Sequence, residues 1–265
     1  MNSQLKLFEK EFSHSAKRGK SKDTSDYLDS RYEFLCFKAA DVRKFKYEYY
    51  DKLDTEQKMV FLDILIKQSN ISEVVSWALY RLDEFDIEDL IKHKRIILSF
   101  ADMIENWWHS DQLSSVYSKM LDTHKVLFDS LRNFNNSQRP WLKRQSIVSL
   151  YYYSSMRKHP LPFEMAIPLV EKLLLDEDYY VQKGVGWTIR ELSQLYYNKT
   201  LDFMRVHAKH ISSTAFSTAA EKLEEQDKEE LKAIRKKGVS NKYEFHGHRD
   251  EEISDHDLKM SRYKK

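Results

Sequence analysis

Apolar positions along this chain recur mostly at steps of three and four residues and rarely alternate. Such spacing gathers residues on one face of a helix, whereas strands need a period of two. Leu5, Leu7, Phe8 and Phe12 mark a first helix over 2–18. The polar, cationic stretch RGKSKDTS (18–25) separates it from a second helix, which starts after Ser25 and carries Tyr27, Leu28 and Tyr32. FLCFK (34–38) is a short connection, and Asp41-Val42-Arg43 opens the next helix. Asp54-Thr55-Glu56-Gln57 has the form of a capping box at the head of a helix over 54–69. The pattern then predicts helices over 71–82, 86–107, 110–122, 124–132, 139–157, 162–174, 178–197, 199–210 and 214–236.

RPWLKRQSIVSLYYY (139–153) and DYYVQKGVGWTIREL (178–192) share a plan: a capping start, a bulky residue, a cation, then small and apolar positions. Helix pairs repeated at about 40 residues characterise HEAT-like solenoids. The expected fold is therefore all-α, a HEAT-like helical-repeat solenoid in which antiparallel helix pairs stack. It forms one domain over 1–236, followed by a polar tail over 237–265.

Composition agrees. The chain has 265 residues but only 5 Gly and 4 Pro, too few turn formers for an all-β protein. A hydrophobic content of 41% permits a sizeable core. Lys plus Arg (44) nearly balances Asp plus Glu (42), so any affinity for nucleic acid has to come from local clustering. Cys36 is alone, which rules out an internal disulfide or a Cys-based zinc site. No segment has the roughly 18 apolar residues of a membrane span, and the start is too polar for a signal peptide. These features describe a soluble intracellular protein. The tail carries His246, His248 and His256 among Asp250, Asp255 and Asp257, but nothing around them builds a rigid metal cage.

Three segments carry candidate chemistry. In VQKGVGWTIREL (181–192), Val181, Val185, Ile189 and Leu192 define a buried face. On another face, Trp187 lies roughly 40° around the axis from Lys183, with Arg190 roughly 20° to the other side. A Trp between two cations suits a surface that grips a phosphate backbone and stacks on a sugar or base. Gly184 and Gly186 weaken a helix by about 1 kcal/mol each, so they mark the close approach of another backbone, from a neighbouring helix in the plainer reading or from a ligand. In the second segment, IENWWHSDQ (104–112), Trp107-Trp108 ends one helix and Ser110 caps the next. Asp111 then falls in its first turn, where capping and dipole stabilisation are its ordinary role. The alternative is a carboxylate held beside exposed indoles, able to steady a positive charge or orient a water. His109 and Asp111 are two apart and so point in different directions on a helix. The third, RPWLKR (139–144), has a cationic edge of Arg139, Lys143 and Arg144, which is ordinarily a solvated face. No Gly-rich phosphate loop, HExxH, GxSxG or CxxC motif is present.

Taken together, the three segments resemble the AlkD-like DNA glycosylases, HEAT-like solenoids that excise positively charged alkylated bases. The resemblance covers about residues 1–223. It rests on VQKGVGWTIREL, on NWW (106–108), on WLKR (141–144) and on YLDSRYEFLCFKAADVR near the N-terminus, in that family's order. It implies that Tyr27, Trp108 and Trp187 form an aromatic surface against the lesion-bearing nucleotide. Arg144 and Lys143 would contact the backbone together with Lys183 and Arg190, with Trp107 and Gln112 close by. Ser212-Ser213-Thr214 and Lys222 would sit where the last helix meets DNA. The family's catalytic aspartate follows the Trp by four residues, and here that position is Gln112, with Asp111 at three. Either Asp111 takes the carboxylate's place or the carboxylate is lost. The implied protein is a monomeric, cytoplasmic enzyme acting on double-stranded DNA, without metal, cofactor or membrane. Two other readings stay open, a non-catalytic module for damaged or branched DNA and a protein-binding solenoid.

Overall fold

The computed structural model describes residues 3–15, 30–125, 127–152 and 157–237. Tyr27 and the tail histidines therefore lie outside the described residues. Within them every regular element is helical, and the one β contact is an isolated parallel bridge between Glu33 and Ile71. The chain divides into two compact units, Met1–Val116 and Tyr117–Lys265.

The first unit contains α1 (Ser3–Ser15), α2 (Ala39–Lys44), α3 (Glu48–Asp51), α4 (Thr55–Gln68), α5 (Ser72–Asp83), α6 (Ile87–Lys92), α7 (Lys94–Ser99) and the start of α8 (Trp107–Thr123). Its core is aromatic. The Phe8 ring meets Tyr47 at 4.9 Å, Trp77 at 4.8 Å, Phe12 at 5.6 Å and Phe61 at 5.7 Å. The Trp77 indole N–H is satisfied by the Phe45 carbonyl at 3.0 Å, as a buried indole requires. The capping box at α4 is present as expected: Asp54 accepts from the Gln57 N–H, and the Gln57 side chain accepts from the Asp54 N–H.

Two expectations are corrected here. Residues 30–33 are not helical: Tyr32 lies in an extended segment whose main chain bonds Asn70 and Ser72 through Glu33, and FLCFK (34–38) continues it as the expected connection. The helix expected over 86–107 is broken into α6, α7 and a 3-10 turn, Phe100–Met103. At the first break the His93 ring bonds the Asp89 carbonyl and its backbone leaves the helical region, since a local side-chain partner competes with the helical ladder.

The second unit contains the remainder of α8, then α9 (Leu127–Phe134), α10 (Pro140–Val148), α11 (Phe163–Lys172), α12 (Tyr179–Leu195), α13 (Tyr197–His207), α14 (Ser213–Ala219) and α15 (Glu225–Lys237). α10 ends well before the expected residue 157, and the helix expected over 214–236 is divided by a 3-10 turn at Ala220–Lys222. α12 is central, packed against α10, α11, α13 and α14. Val181, Val185, Ile189 and Leu192 are fully buried, as their spacing requires. Asp178 caps α12 by accepting from the Val181 N–H at 2.9 Å.

The glycines of α12 serve helix packing. A Cβ on Gly186 would stand 2.9 Å from Ala215 Cα and in hard contact with the same residue's carbonyl, so α14 packs backbone to backbone on α12. A Cβ on Gly184 would meet Arg144 Cγ and Val148 Cγ2 at 3.3 Å, which is tight but faces side chains. Alanine gains about 1 kcal/mol of helix propensity over glycine, whereas overpacking against fixed backbone costs about 1–3 kcal/mol or more. Against fixed backbone the upper end of that cost applies, so Gly186→Ala should lower the urea-unfolding free energy by about 2 kcal/mol, with a smaller change for Gly184→Ala.

Candidate nucleic-acid interface

In the first unit the site is built around Trp108. α8 starts at Trp107, earlier than the sequence pattern suggests, and its cap is Asn106 in place of Ser110. Asn106 Oδ1 accepts from the His109 N–H at 2.8 Å, and its carbonyl accepts from the Ser110 N–H at 3.1 Å. Both residues are good cap formers. Asn106 prevails because its amide has a second buried partner, His109 Nδ1 at 2.9 Å. Ser110 is fully buried inside the helix, and Asp111 lies one turn in, beyond the capping positions.

This cap also fixes the histidine tautomer. The His109 backbone N–H can only donate, so the Asn106 atom it meets is the oxygen. The Asn106 amide nitrogen must then donate to Nδ1, which leaves the proton on Nε2. Nε2–H donates to the Ser72 carbonyl at 2.9 Å. His109 is wholly buried, and desolvation pulls its pKa from 6.5 down to about 3. It is a neutral structural residue and no acid–base partner for Asp111.

Ser72 and Glu73, the first residues of α5, organise the surroundings. Ser72 Oγ accepts from the Trp108 indole N–H at 3.3 Å, and the Ser72 N–H bonds the Glu33 carbonyl at 2.9 Å. The Glu73 carboxylate accepts from the Leu35 and Phe37 N–H groups at 3.0 and 3.3 Å. Burial raises its pKa, opposed by those backbone donors. Between them Cys36 takes φ 60°, the left-handed region, which costs a non-glycine residue energy. The held loop places Phe34 edge-on to Trp108 at 5.7 Å, while Trp107 lies perpendicular to Trp108 at 5.6 Å. Tyr32 stands edge-on to His109 at 5.3 Å.

Trp107, Trp108, Asp111, Gln112 and Ser115 are the part-exposed positions of α8 in this unit. The helix is unbroken, so Asp111 and Gln112 lie about 60° to one side and about 40° to the other of Trp108's line. Gln112 Oε1 is buried without a hydrogen-bond partner among the described residues. One turn on, Ser115 donates to Asp83 at 3.1 Å.

In the second unit the site is α12. From Val181 to Ser193 its only incompletely buried residues are Lys183, Trp187 and Arg190. Tyr180, which the sequence reading passed over, extends the same stripe, and its place three residues before Lys183 was the available signal. A neighbouring ring packs on each part-exposed aromatic residue: Tyr152 stacks on Trp187 at 5.2 Å and 26°, and Trp141 packs on Tyr180 at 5.0 Å. Lys183 lies over the Tyr179 ring at 5.4 Å and Arg190 over the Trp187 ring at 5.6 Å.

The cations are already engaged. Arg190 bonds Glu221 at 2.8 Å and reaches Glu191 at 3.4 Å. Lys143 pairs with Asp176 at 2.5 Å. Arg144 is buried and donates to the Tyr180 carbonyl at 2.9 Å. Ser212 is buried as the cap of α14, accepting from the Ala215 N–H and donating to Gln182 at 2.7 Å, whereas Ser213 and Lys222 are exposed. Among the described residues no group of three or more His, Cys, Asp or Glu is placed to hold a metal, and no helix is long and apolar enough to cross a membrane.

These features define an all-α helical-repeat protein in which part-exposed aromatic residues lie beside charged ones. Residues 8–223 match the sequence pattern of the DNA alkylation repair enzyme family, and the chain belongs to that family. Among solved structures it is similar to "Predicted DNA alkylation repair enzyme from Enterococcus faecalis", with a TM-score of 0.61 and 14% identity over 77% of this chain and 95% of that one. At that identity the likeness shows the fold alone. No curated protein matches.

His109 generates a pH dependence. Unfolded, it takes up a proton near pH 6.5; folded, it stays neutral down to about pH 3. Its contribution is intact above pH 6.5 and is lost as pH falls toward 3, at roughly 1 kcal/mol per pH unit. Urea titrations between pH 7 and 5 should show that decline, and His109→Gln should flatten it.

Proposed function

We propose that this protein is a DNA glycosylase that hydrolyses the N-glycosidic bond of positively charged N3- or N7-alkylated purines in duplex DNA. Membership of the DNA alkylation repair enzyme family supplies the general role. The observation that carries the finer reading is the position of Asp111. Asn106 performs the cap, so Asp111, part-exposed beside Trp108, is not needed for capping.

The chemistry asks little of such a site. An alkylated purine already bears a positive charge and leaves without a strong general acid. What has to be supplied is electrostatic stabilisation of the sugar cation and a placed water. In this reading the Asp111 carboxylate faces the developing cation, and the unpartnered Gln112 oxygen accepts a hydrogen bond from the attacking water. Trp108 packs against the lesion nucleotide with Trp107 alongside, and Trp187 and Tyr27 offer further aromatic surface to the DNA. Lys143, Lys183 and Arg190 hold the backbone, with Arg190 and Lys143 exchanging their carboxylate partners for phosphates, while the buried Arg144 braces α12 through the Tyr180 carbonyl. The protein acts as a monomer on double-stranded DNA in the cytoplasm.

The second reading, a non-catalytic binder of damaged or branched DNA, is favoured by Gln112, which cannot offset a cation as a carboxylate does. Its affinity would fall with salt according to the phosphates contacted.

The deciding measurement is single-turnover base release from methylated duplex DNA. Wild-type protein should free alkylpurine, and Asp111→Asn should slow release by about 100-fold or more with DNA affinity within about twofold. Full activity in Asp111→Asn removes Asp111 from the mechanism. Wild-type binding without release leaves the non-catalytic reading.

A further inference from the structure

We infer that Ser72 is a positioning residue for Trp108, fixing the plane in which its indole meets a nucleotide; the inference rests on the functional reading above. Ser72 lies 36 residues upstream of Trp108 and is 1% exposed. It ties three segments together. Its N–H holds the extended segment at Glu33, its carbonyl accepts a hydrogen bond from His109 Nε2–H, and its hydroxyl oxygen accepts one from the Trp108 indole N–H.

A part-exposed tryptophan can turn about two side-chain torsions, and a ring presented to a ligand gains when that freedom is removed beforehand. Packing alone restricts Trp108 through edge contacts with Phe34, Trp107 and His109, at 5.7, 5.6 and 5.8 Å. Edge contacts between rings tolerate rotation, whereas a hydrogen bond at the indole nitrogen fixes which way the ring faces. The hydroxyl that accepts this bond is itself buried. His109 Nε2 lies 3.3 Å from Ser72 Oγ as well as 2.9 Å from the Ser72 carbonyl, and the Asn106 cap holds the far side of that ring. The chain Asn106–His109–Ser72–Trp108 thus runs from the helix cap to the indole, with its first three members buried. None of them is placed to touch DNA, so Ser72 acts through Trp108.

The test compares Ser72→Ala, Ser72→Thr and Trp108→Phe in the full chain. The Trp108 indole N–H resonance, assigned by its loss in Trp108→Phe, reports the contact directly. Ser72→Ala should shift that resonance, leave overall unfolding cooperative and slow single-turnover base release at least tenfold at unchanged DNA affinity. Ser72→Thr, which keeps the hydroxyl, should restore both rate and resonance. A release rate within twofold of wild type in Ser72→Ala overturns the inference, whether or not the resonance moves. A collapse of unfolding cooperativity in Ser72→Ala that Ser72→Thr does not repair overturns it too, because Ser72 would then be purely structural. If wild-type protein releases no base, the glycosylase reading fails by itself. Positioning is then judged by the change that duplex DNA induces in the Trp108 resonance, and an identical change in Ser72→Ala overturns it.

Discussion

The contact between Gly186 and Ala215 is the constraint on which the second unit depends. Because α14 packs onto α12 through main chain, α12 is enclosed by four helices and only one narrow stripe stays part-exposed. As far as Ser193, what this helix can offer a ligand lies on that stripe, which holds Tyr180, Lys183, Trp187 and Arg190. A larger residue at 186 would push α14 outward. Gly186 thus shapes the stripe without being part of it, by limiting which side chains α12 can show.

The α12 stripe was legible in sequence because both faces of one continuous helix were written in a single 12-residue stretch. Its supports were less so. Nothing in the spacing pairs Tyr152 with Trp187 or Trp141 with Tyr180, since those contacts depend on how α10 and the turn after it lie beside α12. Two interior positions hid for another reason. Gln182 looks like a solvent-facing polar residue, yet its amide donates to the carbonyls of Leu173, Leu174 and Asp176 and is almost wholly buried. Arg144 looks like part of a solvated edge and is instead folded against Gly184.

In the first unit the sequence was ambiguous where two residues could do one job. Asn106 and Ser110 are both cap formers, four residues apart, and local preference does not choose between them. His109 does, because only a cap at Asn106 gives its buried ring a donor. That choice moves Asp111 from the helix's first turn to an interior position and changes what its carboxylate is available to do. The lost continuity over 86–107 has a similar origin, in a His93 side chain that bonds a carbonyl of its own helix. Ser72 carried no signal at all. Its importance comes from a contact across 36 residues, and a serine at a helix start is otherwise unremarkable.

Glu73 holds the loop at Leu35 and Phe37 by their amide hydrogens alone. A carboxylate that grips main chain is blind to side chains. The path of that loop can therefore stay fixed while its residues drift, with Cys36 the exception, since its backbone conformation suits Gly or Asn better. Anchors of this sort decouple shape from sequence. They permit a segment to keep its path while the side chains along it change, so that low identity over such a segment need not mean a different backbone course.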